Sequence, residues 1–86
     1  MEPGLAFGRV LRQLRTEAGL TQEQLGFEAD LQRNYVSILE LGRQQPSLGT
    51  ILKLSAALSR PASDIVGLVE AELANAKQAG KRARKK

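Results

Sequence analysis

The chain carries its own punctuation, and the spacing of those marks limits the fold more than any other feature. Gly19, the Asp30-Leu31 pair, Gly42, Pro46-Ser47 and Pro61 divide residues 5–74 into segments of a few helical turns each. Within each segment apolar residues return at the i, i+3 and i+4 spacing of an amphipathic helix. No alternating run of β-branched and aromatic residues competes with that pattern. The expected fold class is therefore all-α, a compact five-helix bundle.

In the first segment Phe7, Val10, Leu11, Leu14 and Ala18 make an apolar face opposite Arg9, Arg12, Gln13 and Thr16. Pro3-Gly4 precedes this helix, roughly residues 5–18, and Gly19 suits the left-handed position after its end. Thr21 fits an N-cap, with Gln24 completing a capping box and Leu20 and Leu25 placed for a hydrophobic staple. The second helix, about 22–29, turns Leu25 and Ala29 inward. The third starts near Gln32 or Arg33, buries Val36 and Leu39, and ends at Gly42. Pro46 forbids its continuation beyond the polar loop Arg43-Gln44-Gln45. Ser47 caps a fourth helix presenting Leu48, Ile51, Leu52, Leu54 and Leu58. Pro61 suits the first turn of a fifth, about 62–74. One domain, residues 1–76, is expected, followed by a basic and unstructured tail, 77–86, with nothing to bury.

Composition matters where function classes are to be excluded. The 86 residues include no histidine and no cysteine. The commonest general base and metal ligand is thus missing, as are disulfides and thiolate metal sites. The acidic residues are scattered with no catalytic spacing, so no enzyme, metal or cofactor is expected. No apolar run approaches the ~18–20 residues that span a bilayer, and no leader pattern opens the chain. The expectation is a cytoplasmic protein without a membrane partner. Its apolar fraction is adequate for a small core that oligomerisation would help.

Charge is divided unevenly. Of 13 basic residues, six lie in the last ten: Lys77, Lys81, Arg82, Arg84, Lys85 and Lys86. Residues 1–76 hold 7 basic against 9 acidic residues, net −2, although the whole chain is +4. A basic pI therefore says little about the body. Any nucleic-acid contact by the body rests on a few cations placed on one face.

Residues 22–41, QEQLGFEADLQRNYVSILEL, read as two short helices joined by a tight turn, crossing steeply enough for the second to enter a major groove about 12 Å wide. Together GLTQEQL, YVSILELG and PSLGTILKLSAAL resemble the helix-turn-helix domain of the Cro and phage-repressor superfamily, over about residues 5–70. Small restriction–modification controller proteins and some antitoxins share this layout. The resemblance implies a lambda-repressor-like domain that binds double-stranded DNA and regulates transcription.

On that resemblance, Gln32, Arg33, Asn34, Ser37 and Ile38 of the third helix are the expected base-contacting residues. Arg33 suits the O6 and N7 of guanine, and Asn34 or Gln32 suits adenine. Ile38 suits a thymine methyl group or simple burial. Expected phosphate contacts are Gln22 at the start of the second helix, Tyr35, Arg43 and Gln44; for Tyr35 a place at the core edge is an equal alternative. Arg15 and Glu40 match positions that form an ion pair in the phage repressors. Three positions depart from the family pattern. Gly26 stands where a small residue such as Ala is usual and weakens the second helix by roughly 0.5–1 kcal/mol. Asp30 replaces the usual Gly of the turn. Gln32 is a poor cap. These departures argue for support from a second subunit. Val66, Val69 and Leu73 form a second apolar stripe on the fifth helix, the expected homodimer interface. The reading is a homodimeric regulator on a palindromic operator; the alternative is an adaptor or antitoxin that binds protein through the same fold.

Overall fold

The computed structural model describes the backbone of residues 1–84 and the surroundings of side chains as far as Lys77. Five helices follow one another: α1 Pro3–Glu17, α2 Gln22–Ala29, α3 Arg33–Glu40, α4 Leu48–Leu58 and α5 Ala62–Arg84. No strand occurs among the described residues.

The helix ends follow from local chemistry. Pro3 lies in the first turn of α1, where its missing N–H costs nothing. Beyond the other end Gly19 takes φ +74°, and the Leu20 N–H donates back to the Arg15 carbonyl at 3.1 Å. That closure satisfies a carbonyl the helix leaves open. At α2 the Thr21 hydroxyl accepts from the Gln24 N–H at 3.0 Å, and the Gln24 side-chain oxygen accepts from the Thr21 N–H at 2.9 Å. Ser47 caps α4 by accepting from the Thr50 N–H at 3.1 Å. Pro61 stands just before α5, its carbonyl accepting from the N–H groups of Asp64 and Ile65.

One core joins all five helices: Phe7, Val10, Leu11 and Leu14 from α1, Leu25 and Ala29 from α2, Val36 and Leu39 from α3, Leu54 and Leu58 from α4, and Ile65 from α5. Helix α1 packs against α3 and α5, and α2 against α3 and α4. Burying each of the larger side chains contributes about 1.5–3 kcal/mol before ordering costs.

Four placements differ from the sequence reading. Ala18 is exposed, because it caps α1 one position beyond the last packed turn. Leu48 and Leu52 are 71% and 52% exposed; α4 fills the core with Thr50, Leu54 and Leu58 and turns the ridge of Leu48 and Leu52 outward. On α5 the inward row is Ile65 and Val69, one turn apart, with Leu73 half-buried a further turn on. Val69 is partly buried against the core, while Val66 and Leu68 are exposed on the flanks. Finally, α5 does not end near residue 74 but continues to Arg84. Ala, Gln, Lys and Arg are strong helix formers and need no packing partner to favour that state. The last two residues of the expected tail, Lys85 and Lys86, lie outside the described residues.

Candidate nucleic-acid interface

The interface is built on the α2–α3 turn. Asp30 occupies the left-handed region at φ 56°, ψ 47°, a conformation that Asp tolerates better than most residues. Directly after it, the Leu31 N–H donates to the Gly26 carbonyl at 2.7 Å. A Cβ at Gly26 would lie 2.6 Å from the Leu31 carbonyl oxygen. Gly26 is thus required by the close seating of the turn on α2. This corrects its reading as a weak point: the lost helix propensity is exchanged for contact.

A second glycine sets the other side. Gly8 of α1 faces the carbonyls that end α3, where a Cβ would stand 2.5 Å from the Leu39 oxygen and 2.6 Å from that of Glu40. Neither glycine has a sequence signature of its own. The available clue is a glycine kept inside an amphipathic helix despite its cost.

Glu40 is the hub beside this contact. Its carboxylate accepts from Arg15 Nε, from Arg15 Nη2 at 3.1 Å and from Gln22 Nε2 at 3.1 Å. Arg15 Nη1 donates to the Leu20 carbonyl at 2.8 Å. The Arg15 and Glu40 side chains are only 12% and 4% exposed. Hydrogen bonding to Glu40 raises the Arg15 pKa above its ordinary value; burial pulls it down, and the charge of Glu40 adds to the rise. The stability linked to that raised pKa is present at any pH below the unfolded value and is lost only as pH climbs through the folded one. Arg15 therefore stays cationic throughout the working range. One carboxylate joins α1, α2 and the end of α3.

What α3 presents follows from this clamp. Gln32, Arg33 and Asn34 are exposed on its first turn, and Gln32 makes no capping bond with its side chain. Ser37 and Ile38 are half-buried on the next turn. Tyr35 is half-buried and packs against the core. Arg43 and Gln44 are exposed in the loop after α3, which is anchored by the Arg43 N–H donating to the Ile38 carbonyl at 3.1 Å. Gln22 is half-buried, one amide hydrogen committed to Glu40. Arg33 and Gln22 share an open depression with Arg15, Gly19, Leu20, Thr21 and Glu23. Of the expected readers of α3, Arg33 thus lies on one surface with the start of α2; in the expected stripe of α5, Val66 is exposed while Val69 and Leu73 are half-buried. The sequence reading left Phe27 without a place. It lies two residues from the inward Leu25 and Ala29, and so falls on the outer face of α2.

Among the described residues no cluster of His, Cys, Asp or Glu could hold a metal ion. Nor is any helix there long and apolar enough to cross a membrane. The arrangement offers planar amide and guanidinium donors on a projecting helix, the chemistry that reads base edges.

The chain belongs to the helix-turn-helix family, whose profile matches residues 11–65. It is a DNA-binding transcriptional regulator of that family, whose members are regulators rather than enzymes. It is 41% identical over 63 residues to the control protein C.BamHI of Bacillus amyloliquefaciens, covering 72% of this chain and 78% of the relative. Among solved structures it is similar to the restriction-modification controller protein C.AhdI of Aeromonas hydrophila. The identity there is 44% and the TM-score 0.70, over 72% of this chain and 94% of the other. The clp gene regulator ClgR of Corynebacterium glutamicum aligns over 98% of this chain and 89% of its own, at 25% identity and a TM-score of 0.91.

Proposed function

We propose that the protein acts as a homodimer on a palindromic operator, in the cytoplasm, with α3 of each copy in the major groove. The observation that carries this reading is the exposed first turn of α3, held in place by the half-buried Arg15–Glu40–Gln22 network. Gln32, Arg33 and Asn34 read base edges, with Ser37 and Ile38 closing on the groove behind them. Gln22 anchors a phosphate with its remaining amide hydrogen, its other hydrogen being held by Glu40. Arg43, Gln44 and the Tyr35 hydroxyl flank the same strand. Two copies are needed because one recognition helix spans only a few base pairs, and half-sites one helical turn apart multiply the affinity.

The outward ridge of Leu48 and Leu52, beside the exposed Val66, is the surface that joins them. Ile51 of α4 and Val66 of α5 line one apolar depression together, which ties the two helices into a single face. Val69 lines the same depression, so this face takes in part of the expected stripe of Val66, Val69 and Leu73.

Selection from random duplex DNA tests the reading. An inverted repeat is the expected product; enrichment of a lone half-site removes the dimer, and no enrichment removes sequence-specific reading. On the recovered operator Arg33→Ala is expected to weaken binding by about 1–3 kcal/mol and to relax preference at one base of each half-site. A uniform loss across operator variants would make Arg33 a phosphate contact instead.

A further inference from the structure

Two features of the chain are left unused by the proposed operator reading, and they are complementary. The first is Phe27, 85% exposed, more so than any other large hydrophobic side chain among the described residues. It shares one shallow depression with Glu23, Gln24 and Glu28, and a second, on its other side, with Asp30. A ring set among carboxylates repels phosphate and attracts cations. Its face draws a guanidinium or ammonium group, and the carboxylates pair with it.

The second feature is the cationic end of the chain, six basic residues and no acid over residues 77–86. Of the α5 side chains described, Ala76 is the last that is half-buried, and Lys77 is exposed. The helix runs on to Arg84, about 10 Å beyond Lys77 at 1.5 Å per residue. Helix α5 packs against α1 and α4. A continuous helix cannot double back, so it does not deliver these charges to α2 of its own chain. Six positive charges with no acid among them suit an acidic surface on another molecule.

We propose that the surface around Phe27 is a docking site for the basic C-terminal segment, residues 77–86, of a second copy of this chain. Lys and Arg are suited to it because their alkyl stems cover apolar surface while their heads remain charged. The stems lie on the exposed ring, and the heads meet the ring face and Glu23 and Glu28. The contact links copies through surfaces other than the α4–α5 face and weakens as salt is raised.

Sedimentation equilibrium of the full chain without DNA tests this, using two charge-reversed proteins. One carries Glu23→Lys with Glu28→Lys, and the other Lys81→Glu, Arg82→Glu and Arg84→Glu. Each alone is expected to self-associate more weakly by roughly three- to tenfold, the scale of one exposed cation–π contact with its ion pair. Mixed together they are expected to associate as the parent does, because each then supplies what the other lacks. Phe27→Ala, a milder change at an exposed position, is expected to weaken self-association without altering the thermal melt. Unchanged self-association in all three, or weakening that mixing does not restore, overturns the proposal. Binding of Phe27→Ala to a single operator keeps the two readings apart: it is expected to match the parent, and its loss would place Phe27 in DNA binding and overturn this contact while leaving the operator reading standing.

Discussion

Helix α1 leans on two neighbours, and the two seams are built on different principles. Against α3 it offers a glycine that brings backbone to backbone, and a half-buried arginine gripped twice by one carboxylate. Against α5 it offers the rings and branches of an apolar face, with one ion pair at the rim, Arg9 to Glu72 at 3.5 Å. The Arg9 and Glu72 side chains are 57% and 34% exposed, so water and salt screen that pair. Burial of apolar area is non-directional; it holds α5 without dictating its angle closely. Hydrogen bonds to a buried carboxylate are directional and fail abruptly when misaligned. The seam that carries α3 is the directional one.

Substitutions can break this contrast. The largest expected effect is Glu40→Ala, which leaves the half-buried Arg15 guanidinium without its carboxylate and should cost about 1.5–3 kcal/mol in urea unfolding. A loss below about 1 kcal/mol would mean that the α1–α3 seam is as tolerant as its partner. Gly8→Ala comes next. Its methyl group meets two carbonyl oxygens that cannot rotate away, so a destabilisation of about 1–3 kcal/mol is expected despite the better helix propensity. Gly67 of α5 is the matched control, since a Cβ there meets nothing within 4 Å. Gly67→Ala should stabilise the protein by about 0.5–1 kcal/mol, seen as a raised melting temperature. The smallest effect belongs to Arg9→Ala, expected to stay within about 0.5 kcal/mol of the parent in the same urea titration. A larger cost would promote the rim pair to a structural role.

Much of this architecture was legible in the sequence because caps and turns are local. Thr21 with Gln24, Ser47, Gly19 and Gly42 are each recognisable from a few neighbouring residues, and each sits at a helix end. The exposed polar turn of α3 followed from the periodicity of Val36 and Leu39. What periodicity could not show was the choice between apolar faces on one helix. Helix α4 has leucines on two adjoining ridges, and only packing against the other helices decides that Leu54 and Leu58 go in while Leu48 and Leu52 stay out. The same ambiguity hid that Val69 of α5 is half covered by the core. Gly8 and Gly26 were illegible for a different reason: their value lies in atoms of another segment, Leu39, Glu40 and Leu31, that approach too closely for a side chain. A propensity scale records only the cost of such a glycine.

The Gly8 contact also has a mechanical consequence. Where side chains separate two helices, a change of rotamer can absorb a small displacement; where carbonyls rest on a bare Cα, nothing yields. The end of α3 is therefore pinned at a fulcrum, and Arg33 rides about 10 Å away at the far end of a stiff arm. Any tilt introduced at the pin reaches the guanidinium undamped, with a lateral swing of roughly 1 Å for every 6°. Bidentate pairing with a base edge has little room for such error. On the proposed reading, the accuracy with which Arg33 meets a base is set at the opposite end of α3, by the Gly8 contact.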